Sequence, residues 1–168
     1  MAFSLLNKIK KLYQNKIKPK LKSILDDALH PGNHPHRTAF SMAIGMFIAI
    51  FIPMGLQVWS LAILLTFLRF NIAIATFTTL VSNPFTVLPL YYSAIKVGEV
   101  ILGTEFSWEM FTRIIDDPSF DNLLDLGQEN ISVFMSGLIL EAILAAILTY
   151  FISLKLVTYL RHKKKIGL

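Results

Sequence analysis

Long apolar stretches interrupted by prolines dominate the chain, and a different pattern precedes them. In residues 3–29, Phe3, Leu5, Leu6, Ile9, Leu12, Tyr13 and Ile17, then Leu21, Ile24, Leu25 and Leu29, recur at three- and four-residue spacing, with lysines filling the opposite face. That period predicts a basic amphipathic helix, bent near Pro19, which has no amide to donate within a helix. His30 to Arg37 (HPGNHPHR) reads as a linker, because its prolines and glycine break a helix. Residues 38–69 are apolar apart from a break at Pro53-Met54-Gly55. The break leaves two segments of about 15 residues, each about 22 Å long and short of the roughly 30 Å hydrocarbon core of a bilayer. Two short helices joined at mid-depth predict a re-entrant hairpin; two tilted full crossings are the alternative. Residues 71–102 are broken at Asn83-Pro84 and touched again by Pro89, so they either stack into one broken crossing or fold back as a second hairpin. Residues 104–130 mix Phe106, Trp108, Phe111 and Ile114 with acids, which suits short helices at an interface. Residues 131–157 predict a straight transmembrane helix.

Charge decides between these topologies. The segment 104–130 carries Glu105, Glu109, Asp116, Asp117, Asp121, Asp125 and Glu129 against the single cation Arg113, which suits the outer face. Arg161, Lys163, Lys164 and Lys165 at the end, and Lys8, Lys10, Lys11, Lys16, Lys18, Lys20 and Lys22 at the start, suit the cytoplasm. A second hairpin over 71–102 would strand the terminal lysines outside. The expected arrangement is therefore a hairpin at 38–69 with Arg37 and Arg69 at its cytoplasmic mouths, a broken crossing at 71–102 and a straight one at 131–157.

Composition agrees with a membrane protein: 54% of residues are hydrophobic and 16% charged, with a net charge of +5 in which the basic residues are concentrated at the two ends. A soluble domain is arithmetically possible, but residues 38–102 hold only Arg69, Lys96 and Glu99 as charges, and 131–154 only Glu141. Helices of a soluble fold need a polar face that these stretches do not supply. The fold class is all-α and polytopic, with a cytoplasmic arm at 1–30 and a helical membrane domain at 31–168. Both termini are expected in the cytoplasm of a bacterial inner membrane. The first 30 residues lack the apolar core of a cleaved signal peptide. With no cysteine, thiolate metal sites, disulfides and cysteine nucleophiles are excluded.

Several local motifs recur in a fixed order: Pro35-His36-Arg37-Thr38-Ala39, Pro53-Met54-Gly55-Leu56-Gln57, Leu68-Arg69-Phe70-Asn71, Ser82-Asn83-Pro84-Phe85-Thr86, then Pro89, Gly98 and Leu102-Gly103. As a set, from about Pro35 to the C-terminus, they resemble the bacterial membrane family catalogued as domain of unknown function 2062. The resemblance implies a helical inner-membrane protein of Gram-negative bacteria, attached in some members to glycosyltransferase modules, and it implies no reaction. Nothing in these 168 residues resembles such a module.

Polar groups within the apolar stretches are the candidates for chemistry, because a charge at the bilayer centre costs a few kcal/mol on insertion scales (about 2.5–3.5). Arg69 can grip a phosphate bidentately, with Asn71 beside it; a snorkelling topology marker is the alternative. Pro53, Gly55 and Pro84 break the backbone, and each break presents the start of a half-helix whose amides attract anions. Gln57, Asn83 and Thr86 stand beside those starts, and Asn83 is placed to cap the second. Together they define a substrate-binding set of Arg69, Asn71, Gln57, Asn83 and Thr86; prolines that merely bend helices are the plain alternative. Lys96 and Glu99 stand one turn apart and can pair. Glu141 has no basic neighbour within a turn, so it must be protonated, paired with Lys96 or Arg69, or hydrated, and it is the main candidate for a titrating residue. His30, His34 and His36 are separated by prolines and make no metal site, and no cofactor is expected. No catalytic set is present, so an enzyme is not expected.

The leading expectation is a transporter- or flippase-like protein for an anionic or lipid-phosphate headgroup. The rival is a non-transporting accessory protein that positions a glycosyltransferase or another envelope-assembly enzyme through the N-terminal arm. Expected partners are anionic membrane lipids, a second copy of the chain and such an enzyme, with no nucleic acid.

Overall fold

The computed structural model describes residues 34–109 and 127–166, with isolated positions between 14 and 26. The predicted arm at 1–30 and most of the acidic segment at 104–130 lie outside the described residues. Every described element is a helix: α1 Pro35–Phe51, α2 Gln57–Phe67, α3 Ile72–Thr79, α4 Pro84–Leu102 and α5 Gly127–Ile166.

Two boundaries differ from the sequence expectation. The first apolar helix begins at Pro35 rather than Thr38, because proline at the first helical position loses nothing by lacking an amide. The last helix is 40 residues long and runs through Arg161 and Lys163 instead of ending at 157. Residues 138–166 contain no proline or glycine, and the terminal lysines are good helix formers, so nothing stops it.

Helix α5 is the spine. α1 crosses it in the opposite sense: His36 Nδ1 and the Tyr150 hydroxyl are hydrogen-bonded at 2.8 Å, and Ile50 packs with Leu138 and Ala142. α4 is also antiparallel to it. Gly98 lies against Val133 and Gly137 against Ala94, so close that a Cβ at either glycine would occupy the opposing backbone carbonyl. Small residues at four-residue spacing are what let two apolar helices approach to backbone contact. On the far side of α1, α2 returns antiparallel to it as a hairpin, and α3 packs across α1. There the Ser41 hydroxyl accepts the Asn71 amide at 2.7 Å, and a Cβ on Gly45 would lie 2.8 Å from Thr78 Cβ. Ile48, Leu61, Phe70 and Ala75 form the core of this three-helix unit.

Along α5 the two ends of the bundle are well marked. At one, the Asn130 side chain accepts the Ser107 amide at 2.9 Å, while Phe106 and Trp108 stack edge to face. At the other, His36 meets Tyr150. Asn130 and Tyr150 are about 30 Å apart at the helical rise. Ile50, just before the Pro53 break, meets α5 at Leu138 and Ala142, midway between them. Extending the α4–α5 register from Ala94 back to Pro84 brings the start of α4 roughly opposite residue 147. Residues 71–102 therefore do not divide into two equal stacked halves: α4, with 19 residues, covers nearly the whole distance, and α3 belongs with the α1–α2 hairpin.

The exterior is apolar. Phe85 and Val100 on α4 and Phe67 on α2 are 80% exposed or more, and Trp59, Ile63, Leu148 and Ile152 also project outward. Soluble monomers rarely expose contiguous apolar surface of this extent. Two helical segments, Pro84–Leu102 and Asn130–Lys163, are long and apolar enough to cross a membrane.

Candidate functional site

The first break is closed by its own motif. Pro53 has no amide, so the Ala49 carbonyl loses the donor that a continuing helix would supply. The Gln57 side-chain amide takes that place, donating to Ala49 O and Ile52 O, both at 3.2 Å, from a position only 6% exposed. Gly55 makes the reversal possible with φ at 100°, a backbone conformation open to glycine at little cost. The Pro-x-Gly-x-Gln spacing thus encodes a break, a turn and a substitute donor.

The second break is closed likewise. The Asn83 side-chain oxygen accepts the Phe85 and Thr86 amides at 3.0 and 3.3 Å, and the Asn83 amide donates to Thr86 Oγ1 at 2.9 Å. Thr86 Oγ1 lies 2.6 Å from the Val81 carbonyl, and the Asn83 side-chain nitrogen donates to Val81 O. This is a capping box in which donor and acceptor are satisfied reciprocally. Gln57 lies at the turn between α1 and α2 and Asn83 near the opposite end of these helices, about 10 Å apart along the bundle axis by the α5 register. The two breaks do not meet, and their polar side chains are turned onto their own backbones.

The polar groups that do converge lie where α1 and α3 begin. Asn71 caps α3, its side-chain oxygen accepting the Ala73 and Ile74 amides at 3.0 and 3.2 Å. Its own amide is held by Ser41 Oγ, which in turn donates to Arg37 O at 2.8 Å. Arg37, Thr38, Asn71 and Ile74 line a cleft of about 70 Å³. Arg69 stands two residues before Asn71 and is exposed, as is Arg37. Among the described residues neither guanidinium has a hydrogen bond or an ion pair. The start of α1 adds to the positive field, having no side-chain cap and no acid in its first turn. The sequence reading named Arg69 and Asn71 but treated Arg37 only as a topology marker. The available signal was the Arg37-x-x-x-Ser41 spacing, which stacks the two on one helical face.

Lys96 and Glu99 form an ion pair at 2.7 Å. The second Glu99 oxygen accepts the Phe106 amide at 3.0 Å, so the carboxylate fastens the loop after α4. Glu141 pairs with neither Lys96 nor Arg69; one of its oxygens is buried without a hydrogen-bond partner. His36 is bound to Tyr150, and no cluster of metal-ligating side chains occurs among the described residues.

No curated protein and no solved structure matches the chain. A family model does, over residues 19–165, and those residues include the Pro53–Gln57 and Asn83–Thr86 breaks and the Arg37–Asn71 cleft. The chain therefore belongs to the family described as uncharacterised proteins conserved in bacteria, domain of unknown function 2062.

Proposed function

We propose that this is an integral protein of the bacterial inner membrane that binds the phosphate of an anionic lipid headgroup at its cytoplasmic face, as a transporter- or flippase-like protein would. α4 and α5 are the crossings, and α1, α2 and α3 enter and leave from the cytoplasmic side with the hairpin tip at mid-depth. The distance from Asn130 to Tyr150, about 30 Å, suits the hydrocarbon core. Arg37 and Arg69 lie at the end toward which Arg161 and Lys163 continue, whereas Glu105 and Glu109 lie at the other, as the positive-inside rule requires.

The observation that carries this reading is that Arg37, which lines the Asn71 cleft, and Arg69, two residues before Asn71, have no partner among the described residues. A guanidinium at headgroup depth finds phosphate oxygens on one side and no carboxylate on the other, and its planar fork fits them bidentately. Because Gln57, Asn83 and Thr86 are engaged in capping, they act in this scheme as structural supports, Gln57 at the hairpin tip and Asn83 and Thr86 nearer the mouth, and not as substrate contacts.

The test is lipid binding in nanodiscs of neutral lipid doped with phosphatidylglycerol or phosphatidate. Charge-assisted hydrogen bonds are worth about 1.5–3 kcal/mol, so Arg37→Ala with Arg69→Ala should weaken binding by at least about tenfold. Arg→Lys at both sites should recover only part of it. Equal affinity in wild type and the alanine pair would remove the reading. Lipid scrambling by the wild type, lost in the same pair, would extend binding to transport. The self-capped breaks favour a second reading, a static accessory protein; there the pair would lose headgroup binding while no scrambling appears in either protein.

A further inference from the structure

Ser41 is fully buried on α1, where it meets the start of α3. Its hydroxyl donates to the Arg37 carbonyl at 2.8 Å, a bond that serines often make one turn back in a helix. The second bond is the unusual one: the same oxygen accepts the Asn71 amide, 30 residues further along, at 2.7 Å. Asn71 precedes the first turn of α3, so its amide has no acceptor within that helix. One turn after Ser41, a Cβ on Gly45 would occupy the Ala75 carbonyl. The contacts Ser41 to Asn71 and Gly45 to Ala75 advance together by four residues, so α1 and α3 run in the same sense and begin at the same end.

We propose that Ser41 is a positioning residue for headgroup binding: through its two hydrogen bonds it joins the starts of α1 and α3, so that Arg37 and Arg69 act on one phosphate. The inference rests on the lipid-phosphate reading above. Ser41 is buried and does not touch the ligand itself.

Both arginines are exposed, and a long side chain does not by itself fix where its guanidinium lies. Two such groups serve one anion well only if their backbones are held in place beforehand. Arg37 is one turn before Ser41 on the same face of α1 and lines the cleft with Asn71, while Arg69 is two residues before Asn71. Between Arg69 and Asn71, Phe70 is buried in the core with Ile48 and Ala75, which secures the segment on its apolar side. The polar side is secured by Ser41. Without the hydroxyl, the Asn71 amide loses its acceptor and the backbone that carries Arg69 is released, while the apolar contacts keep the fold.

The experiment measures binding of the full-length protein in neutral nanodiscs doped with phosphatidate, well below its melting temperature. Ser41→Ala should weaken binding about fivefold, the size of one neutral hydrogen bond. A cycle with Arg69→Ala separates positioning from a general loosening of the protein. With Ser41 in place, Arg69→Ala should cost about tenfold; in the Ser41→Ala background it should cost no more than about twofold, because a displaced Arg69 has little left to lose. If Ser41→Ala gives no folded protein, Ser41→Cys, nearly the same size but a weak acceptor, takes its place. Wild-type affinity in the Ser41 variant, or an Arg69→Ala loss equal in both backgrounds, would overturn the inference and leave the arginine site standing. Undiminished binding by the Arg37→Ala, Arg69→Ala pair would instead remove that site, and this inference with it.

Discussion

Gly137→Leu should leave little folded protein. At this residue the α5 backbone is so close to α4 that even a Cβ would meet the Ala94 carbonyl and lie 2.8 Å from the Gly98 amide nitrogen. A flexible side chain could rotate away, but two backbones cannot. The helices must separate, and with them go the packed contacts of Ala94, Leu138 and Val133, all within 3% of full burial. Overpacking costs about 1–3 kcal/mol where neighbours can adjust. Here the upper end or more is expected, which corresponds to a fall of roughly 6–12 °C in melting temperature for a chain of this size. Fluorescence-detected gel filtration after heating in detergent reads this directly. Val100→Leu, on the same α4 but 85% exposed, is the control and should melt like wild type. Equal melting of the two variants would contradict the close α4–α5 crossing.

The second large effect concerns Gln57. Gln57→Leu keeps the volume but removes the donor shared by the Ala49 and Ile52 carbonyls. A buried polar group left unsatisfied costs about 1–3 kcal/mol. The sharper test is the cycle with Pro53→Ala. Alanine restores an amide four residues after Ala49, so the double variant should lose less than the sum of the two singles. The coupling is expected in the 0.5–3 kcal/mol range typical of residues that share one partner. Strict additivity in chemical denaturation would mean that Gln57 does not stand in for the missing proline amide.

These residues also show how much the sequence discloses. Helical class, the places of both breaks, the Asn83 cap and the Lys96–Glu99 pair follow from local rules: proline removes a donor, asparagine caps, and residues three apart share a helical face. The role of Gln57 is as local, four residues after Pro53, but the sequence accommodates a ligand contact just as readily. Polarity beside a break does not say whether a side chain faces a substrate or its own backbone. What no local rule gives is register between helices. Only the contacts of Gly98 with Val133 and of Gly137 with Ala94 show that α4 begins near the Tyr150 level, and hence that the Asn83 break lies near the arginine end of the bundle. Arg37 is not legible as a site residue for the same reason, since its nearness to Asn71 depends on α3 packing across α1. α5 is longer than its apolar stretch because hydrophobicity ends near Val157 while helical propensity continues through the lysines.

The central claim is that the α1–α2 hairpin dips into the bilayer from the arginine face and turns back at mid-depth. The absence of native cysteine allows single-cysteine labelling in intact inner-membrane preparations of both orientations. A cysteine at Ser60 or Met54, near the tip, should resist charged maleimide from either side. Cysteines at His34 and at Arg69 should react only from the cytoplasm, and one at Glu105 only from the periplasm. Labelling of the tip from the periplasm would make α1 and α2 two full crossings and would contradict the account.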